Sequence, residues 1–387
     1  MIPYSRQVID KNDINSVIKA LKSDLVTTGP KIAEFENKIN KFLGVKYGVA
    51  VNSATSALHI SCIALGLKKG DWLWTSPISF VASANCGLYC DAKIDFVDID
   101  KKTFNISITE LKKKLILAKA EKKLPKIIVP VSFAGQCCDL KEIKKLSKIY
   151  NFKILEDSSH ALGAKYEGQK VGNGKYTDIS VFSFHPVKII TTLEGGIAVT
   201  NNKKLAEKLE MLRSHGITRK KKLFKNHNNN EWYYEQQLLG FNYRMNDIEA
   251  ALGVEQLKKI NKFFKKRIWV KKFYDQGLKK LPINLPHIDS NKISSMHLYV
   301  ITLSDKFSKK NRDNLIKLLR KKGIGVNVHY IPIHLQPYFK DIGFKKGMFP
   351  ESEKFYDKAI SLPIHPKITK KDLLKVTNTI KNLLINE

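Results

Sequence analysis

A lysine stands in a short turn between two apolar runs, in Ser183-Phe184-His185-Pro186-Val187-Lys188 followed, after Ile189 and Ile190, by Thr191-Thr192-Leu193-Glu194-Gly195-Gly196. Ile179 to Phe182 reads as a short buried strand that Pro186 halts, and Gly195-Gly196 opens the next strand, Ile197 to Thr200. A lysine held this way is a positioned amine rather than a waving surface charge. Partial desolvation loosens its proton, and the neutral amine can form a Schiff base with an aldehyde. Most lysines in so lysine-rich a chain must be solvated surface, so the neighbouring residues decide what Lys188 is.

Other chemistry-bearing groups fall at the carboxyl ends of predicted strands, where open α/β sheets bind their ligands. Asn52-Ser53-Ala54-Thr55-Ser56-Ala57 lies between a strand and a helix start, where free N–H groups and hydroxyls suit a phosphate, or simply a helix cap. In Glu156-Asp157-Ser158-Ser159-His160, Asp157 could hold a cationic ring nitrogen and His160 could approach the ring or its oxygen; the plain alternative is a cap and a polar core histidine. In Pro77-Ile78-Ser79-Phe80, Phe80 could stack on a flat ring or pack in the core. Each signal is weak alone. Together they supply a phosphate cradle, a stacking aromatic, a carboxylate and an amine, the inventory that pyridoxal phosphate requires.

The elements that must carry these residues alternate through the first two-thirds of the chain. Strands are predicted at Tyr47 to Val51, Trp72 to Ser76, Ile94 to Val97, Ile127 to Val131, Phe152 to Glu156, Asp178 to Ser183 and Gly196 to Thr200. Helices are predicted at Ser53 to Leu67, Phe80 to Tyr89, Ile108 to Ala118, Leu140 to Tyr150 and Lys203 to Arg213. Such alternation argues a mostly parallel sheet with helices on both faces. The polar stretch Arg219 to Glu231, with Asn226, Asn228, Asn229 and Asn230, reads as a mobile surface loop. A helical pattern with a break runs from Asn246 to about Gln276. After it come strands at Leu298 to Leu303 and Val326 to His329, and helices at Asn311 to Lys322 and Leu373 to Leu384.

Composition narrows the class. With 387 residues and 43% hydrophobic content the chain can bury two domains' worth of core. No apolar run is long enough to span a bilayer, and no apolar segment of a signal peptide follows Met1-Ile2-Pro3. Five cysteines without metal-ligand spacing fit reduced thiols in the cytoplasm, with no metal expected. The net charge of +32 is mostly lysine on solvent-facing helix positions, without an Arg-rich arm or an aromatic-basic motif. We read it as a solvated surface and expect no specific nucleic-acid partner.

The segments Leu25-Val26-Thr27-Thr28-Gly29, Asn52 to Leu58, Pro77 to Ala82, Glu156 to Gly163, Phe182 to Lys188, Glu194-Gly195-Gly196, Gly240-Phe241-Asn242-Tyr243-Arg244 and Val328 to Ile333 carry a resemblance over nearly the whole chain. Taken jointly they resemble the fold-type I nucleotide-sugar aminotransferases. Asp157 to Gly163, and Ser183 to Lys188 with Ile190-Thr191-Thr192, are most similar to the members that act in pseudaminic acid synthesis. The resemblance implies an aspartate-aminotransferase-like α/β domain over residues 1–250, including an N-terminal arm, and a smaller α+β domain over 251–387. It implies a homodimer with shared active sites and no membrane attachment. The implied reaction moves an amino group from L-glutamate, leaving 2-oxoglutarate, to C4 of a UDP-linked 4-keto-6-deoxy-N-acetyl sugar. The product would be UDP-4-amino-4,6-dideoxy-N-acetyl-β-L-altrosamine; a sugar of the other C5 configuration, or a C3 ketone, is the alternative.

By the same resemblance, Lys188 is the lysine that carries pyridoxal phosphate. Ala54, Thr55 and Ser183 bind its phosphate, Phe80 stacks on its ring, Asp157 pairs with the ring nitrogen and His160 stands near the ring hydroxyl. Asn242 reaches the phosphate from the partner subunit, and Tyr4, Thr27, His329 and Tyr330 lie near the sugar nucleotide. Two features depart from the family: the tryptophans Trp72 and Trp74 in a strand that usually carries acidic and aliphatic residues, and the long polar stretch Arg219 to Glu231.

Overall fold

Hydrophobic alternation within each strand fixes two buried faces. In β4, Ile127 and Val129 look to one side and Ile128 to the other, and each joins a different apolar cluster. The structure, a computed structural model, describes residues 1–385 except His227 and Asn229. The chain runs α1 (Lys11–Leu21), α2 (Pro30–Leu43), β1 (Tyr47–Val51), α3 (Ala54–Ala64), β2 (Trp72–Thr75), α4 (Ala82–Leu88), β3 (Lys93–Phe96), α5 (Ile108–Ala120), β4 (Ile127–Val129), α6 (Leu140–Tyr150) and β5 (Lys153–Asp157). A hairpin, β6 (Lys165–Tyr166) and β7 (Gln169–Lys170), leads to β8 (Ile179–Ser183) and β9 (Gly196–Thr200). Then come α7 (Lys203–Leu212), β10 (Ile217–Thr218), β11 (Glu235–Gln236), α8 (Asp247–Lys258) and α9 (Ile260–Leu278). The remainder is β12 (Ile283–Asn284), β13 (Lys292–Ile293), β14 (Tyr299–Leu303), α10 (Lys309–Lys321), α11 (Pro337–Asp341), α12 (Pro350–Lys358), β15 (Ala359–Leu362) and α13 (Lys370–Ile385).

Seven strands form one sheet in the order β1-β9-β8-β5-β4-β2-β3. The pairs β2/β3, β2/β4, β4/β5 and β5/β8 are parallel, and only β9 runs against its neighbours. One face packs against α2, α5, α6 and α8, the other against α3, α4 and α7. This is the mostly parallel α/β sheet that the alternation predicts. It brings the carboxyl ends of β1, β5 and β8 to one edge, where the chain supplies α3, Asp157 and Ser183 in turn.

A third apolar cluster joins α9, α10 and α13 to the antiparallel strands β14 and β15. Ile2 from the N-terminal arm is buried in this cluster and pairs with Ile324. Helix α8 packs on α1 and α2, and α9 spans two cores: Ile260 and Phe263 lie in the cluster of the large sheet, Val270, Tyr274 and Leu278 in the third cluster. Among the described residues no helix is long and apolar enough to cross a membrane.

Several expectations need correction. The N-terminal arm contains two helices that were not foreseen, α1 with an Asp10/Asp13 capping box and α2 opened by Pro30. Helix α3 starts at Ala54 and α4 at Ala82, because Ser53 caps the one and Phe80 stays outside the other. No strand forms over 326–329. Gly323 adopts φ +75 and only single bridges form, at Ile324 and Asn327; the third strand of the small sheet is β15, missed because its apolar run follows directly on α12. Arg219 to Glu231 is not featureless: Lys221–Leu223 is a short helical turn, and Glu235 accepts hydrogen bonds from the N–H groups of Lys225 and Asn226. Asn229, part of that run, lies outside the described residues.

Candidate active site

A cavity of about 430 Å³ opens at the carboxyl edge of the sheet. Ala54, Thr55, Phe80, Asp157, His160, Ser183, Lys188, Tyr4, His329 and Tyr330 all line it. Thr27 and Asn242 do not. Thr27 is exposed and bridges to Asn246, and Asn242 is exposed and bridges to Ser214.

The end of the cavity at the α3 N-terminus is built by a close approach. Ser53 Oγ accepts from the N–H of Ser56, which leaves the N–H groups of Ala54 and Thr55 without an acceptor among the described residues. Gly196, opposite Ser183 in the β8/β9 pair, lets β9 lie against this turn: a Cβ there would stand 2.5 Å from the Ala54 nitrogen. Two unpaired donors on a helix N-terminus fit an anion.

Asp157, the last residue of β5, is buried and tightly held. Ser83 Oγ donates to its Oδ2 at 2.6 Å, and Ser159 donates to Oδ1 through both its N–H (3.1 Å) and its hydroxyl (2.6 Å). Ser79 and Ser83 are linked, Oγ to Oγ, at 2.6 Å. These donors stabilise the ionised carboxylate, the form that keeps a pyridine nitrogen protonated.

Lys188 projects from the turn after β8, whose N–H donates to His185 O at 2.9 Å. Burial pushes its amine down to about 8, against the pull of Asp157 in the other direction. Its Nζ has no hydrogen-bond partner among the described residues. From the arm, Ser5 Oγ donates to Val187 O at 3.1 Å, beside this lysine. Phe80 leaves 59% of its surface open at the cavity mouth, costly for an apolar ring with nothing to cover it.

The far wall is a histidine cluster. His160 is buried, its Nε2 3.2 Å from Tyr330 Oη and its Nδ1 without a partner among the described residues. The His297 ring lies 4.3 Å from it, also with Nδ1 unpartnered. Burial, with Lys188 and His329 nearby, holds His160 well below the usual histidine range, and burial with His160 does the same to His297. His329 is held down to about 4 by burial and Lys188, and its Nδ1 lies 2.8 Å from Ser361 Oγ. Tyr4 and His329 face each other at 5.6 Å.

Ser83, Ser159 and His297 were missed by sequence reading. Ser83 has a signal, one helical turn after Ser79 on α4; His297 has none, because only the tertiary fold brings it to His160. Among the described residues no group of three or more His, Cys, Asp or Glu side chains could hold a metal. The residues do fit pyridoxal phosphate: free N–H groups for its phosphate, an ionised carboxylate for its ring nitrogen, an exposed aromatic ring for its face and a deprotonatable amine for its aldehyde.

Comparison with known proteins agrees. The model of the DegT/DnrJ/EryC1/StrS aminotransferase family matches residues 7–381. A Campylobacter jejuni protein, UDP-4-amino-4,6-dideoxy-N-acetyl-β-L-altrosamine transaminase, is 40% identical over 385 residues, covering 99% of this chain and 98% of its own. The solved structure of Helicobacter pylori PseC, an aminotransferase involved in the biosynthesis of pseudoaminic acid, is similar at TM-score 0.91 and 33% identity, with both chains covered in full. Streptococcus pneumoniae Spr1654 in its PLP-form is similar at TM-score 0.89 and 29% identity, covering 100% of this chain and 99% of that one. The chain belongs to the DegT/DnrJ/EryC1/StrS aminotransferase family and is a pyridoxal phosphate-dependent aminotransferase of the aspartate-aminotransferase fold.

Proposed function

We propose that this enzyme moves the amino group of L-glutamate to C4 of a UDP-linked 4-keto-6-deoxy-N-acetyl sugar, giving UDP-4-amino-4,6-dideoxy-N-acetyl-β-L-altrosamine and 2-oxoglutarate. The observation that carries the chemistry is the meeting of Lys188, Asp157 and the α3 N-terminus in one cavity. The full-length similarity to relatives named for this transamination supports the choice of sugar.

In this reading, the N–H groups of Ala54 and Thr55 and the Ser183 hydroxyl hold the cofactor phosphate, and Phe80 covers the ring. When bound, pyridoxal phosphate supplies an electron sink for the charge left where a carbon loses its proton. Asp157, fixed by Ser83 and Ser159, keeps the ring nitrogen protonated. Lys188 would hold the cofactor covalently between turnovers. Its free amine would take the proton from the donor's Cα, and in the second half-reaction would deliver one to C4 of the sugar. An amine near neutrality suits both tasks. Tyr4 and His329, paired at the cavity wall, are placed for sugar contacts.

Asn242 and Thr27 are exposed and lie outside the cavity of their own chain. Their exposure leaves room for a homodimer in which each protomer lends Asn242 to its partner's phosphate site.

The test is a panel of UDP-linked 4-keto and 3-keto sugars with L-glutamate as donor, following 2-oxoglutarate and identifying products by NMR. The expected result is amination at C4 of the altrosamine precursor. Preference for a 3-keto sugar, or for the other C5 configuration, would reassign the substrate.

A further inference from the structure

We propose that Tyr330 is a positioning residue for the cofactor environment, acting through His160: its hydroxyl fixes the His160 proton on Nδ1 and thereby aims one N–H donor at the cofactor's phenolic oxygen. The inference rests on the cavity being the cofactor site.

The argument begins with the 3.2 Å contact between Tyr330 Oη and His160 Nε2. Which partner donates follows from the charged groups around the pair. Lys188 from the β8–β9 turn and His329 face His160, and His297 stacks on it from the segment before β14. Arg267 of α9 stands behind His297. Burial first, and Lys188 beside it, keep the imidazole neutral. Burial, with Asp157 and Tyr4 nearby, raises the Tyr330 phenol, so it keeps its proton. Of the two arrangements open to a neutral phenol beside a neutral imidazole, the stronger pairs the more acidic O–H with the more basic ring nitrogen, so the tyrosine O–H donates and Nε2 accepts. The ring proton then sits on Nδ1.

That N–H is buried and meets no acceptor in the described chain. Neighbouring rings hold its direction. Phe133 packs against both His160 and Tyr330, at 6.3 and 6.4 Å, and Ser295 Oγ donates to the His160 carbonyl at 2.5 Å. A buried donor without a partner is costly, and a site that keeps one is built for a ligand acceptor. Among the cofactor's groups, the phosphate has the α3 N-terminus and the ring nitrogen has Asp157. The phenolic oxygen is the remaining acceptor. An N–H donated there stabilises its anionic form, draws charge away from the neighbouring Schiff-base nitrogen and lowers the pH at which that nitrogen loses its proton.

The test uses purified holoenzyme and follows its visible absorption against pH. Tyr330→Phe keeps the ring and its packing but frees His160 to change tautomer. The midpoint is expected to rise by about half a unit or more. His160→Ala should raise it similarly, and adding Tyr330→Phe to His160→Ala should change nothing further. A midpoint unmoved by Tyr330→Phe overturns the proposal, as does a shift that persists without His160, which would mean that Tyr330 touches the cofactor itself. Independently, ¹⁵N spectra of histidine-labelled holoenzyme should show His160 protonated on Nδ1 in the native protein; protonation on Nε2 overturns the proposal whatever the variants do. A preparation with no visible cofactor band at all would remove the cofactor-site reading, and the proposal with it.

Discussion

Ser83 Oγ and Asp157 Oδ2 meet at 2.6 Å although they come from different elements, the helix α4 and the end of β5. The contact makes the orientation of a carboxylate depend on a helix hydroxyl that is itself tied to Ser79.

Ser83→Ala removes one charge-assisted bond from Asp157. The expected loss in turnover is roughly 10- to 100-fold, following from about 1.5–3 kcal/mol for such a bond. Ser83→Thr should restore most of the rate. An unchanged kcat in Ser83→Ala would show that Ser159 alone holds the carboxylate.

Asp157→Asn should weaken catalysis more than cofactor retention, because the phosphate contacts at Ala54, Thr55 and Ser183 remain while the ring nitrogen loses its ionised partner. The check is kcat beside cofactor affinity from absorbance titration. Equal losses in both would make Asp157 a binding residue first.

Lys188→Ala should abolish turnover, by several orders of magnitude, with little effect on the thermal midpoint. In the native protein stripped of cofactor, capture of added pyridoxal phosphate should accelerate as pH rises through about 8, where the buried amine becomes neutral. The sign follows from a base held below its ordinary value: it is protonated and unreactive below that pH. A rate that keeps climbing toward 10.5 without levelling would show an ordinary solvated amine.

Gly196→Ala drives a methyl group against the backbone of Ser53 and Ala54. Overpacking of this kind costs about 1–3 kcal/mol, and here it displaces the Ser53–Ala54 turn proposed to bind the phosphate. Cofactor affinity should fall roughly 10-fold or more. Unaltered affinity would place the phosphate elsewhere in the cavity.

Mixed dimers test the sharing of sites. Lys188→Ala and Asn242→Ala subunits, each nearly inactive alone, should on co-refolding recover about a quarter of native activity. With random pairing half the dimers are mixed, and one site in each is intact. No recovery means that Asn242 serves its own chain.

What the sequence made legible was local. Pro186 and Gly195-Gly196 bracket Lys188, Ser53 caps α3 and Asp157 closes a strand. Each of these is a near-neighbour signal, and all came together at one edge of the sheet. The illegible parts depend on distant packing. Ser83 becomes a partner of Asp157 only when α4 packs on β2 and β3 and β5 joins the same sheet, and His297 reaches His160 only when the segment before β14 folds over Gly135. The strand expected over 326–329 failed because Val326 packs in the cluster with Ile2 while Asn327 makes only a single bridge, to Ser361, without entering a ladder.

The N-terminal arm has one more consequence. Tyr4 and Tyr330 meet the Lys188 turn from opposite ends of the chain, and Ser5 touches the residue beside that lysine. The amine therefore stands out from the many other lysines only after remote segments have come together. An unfinished or damaged fold offers aldehydes nothing but ordinary, protonated lysines. With Lys188 as the cofactor's lysine, covalent capture would be a quality check on assembly, since a chain would turn yellow only when its long-range contacts are in place.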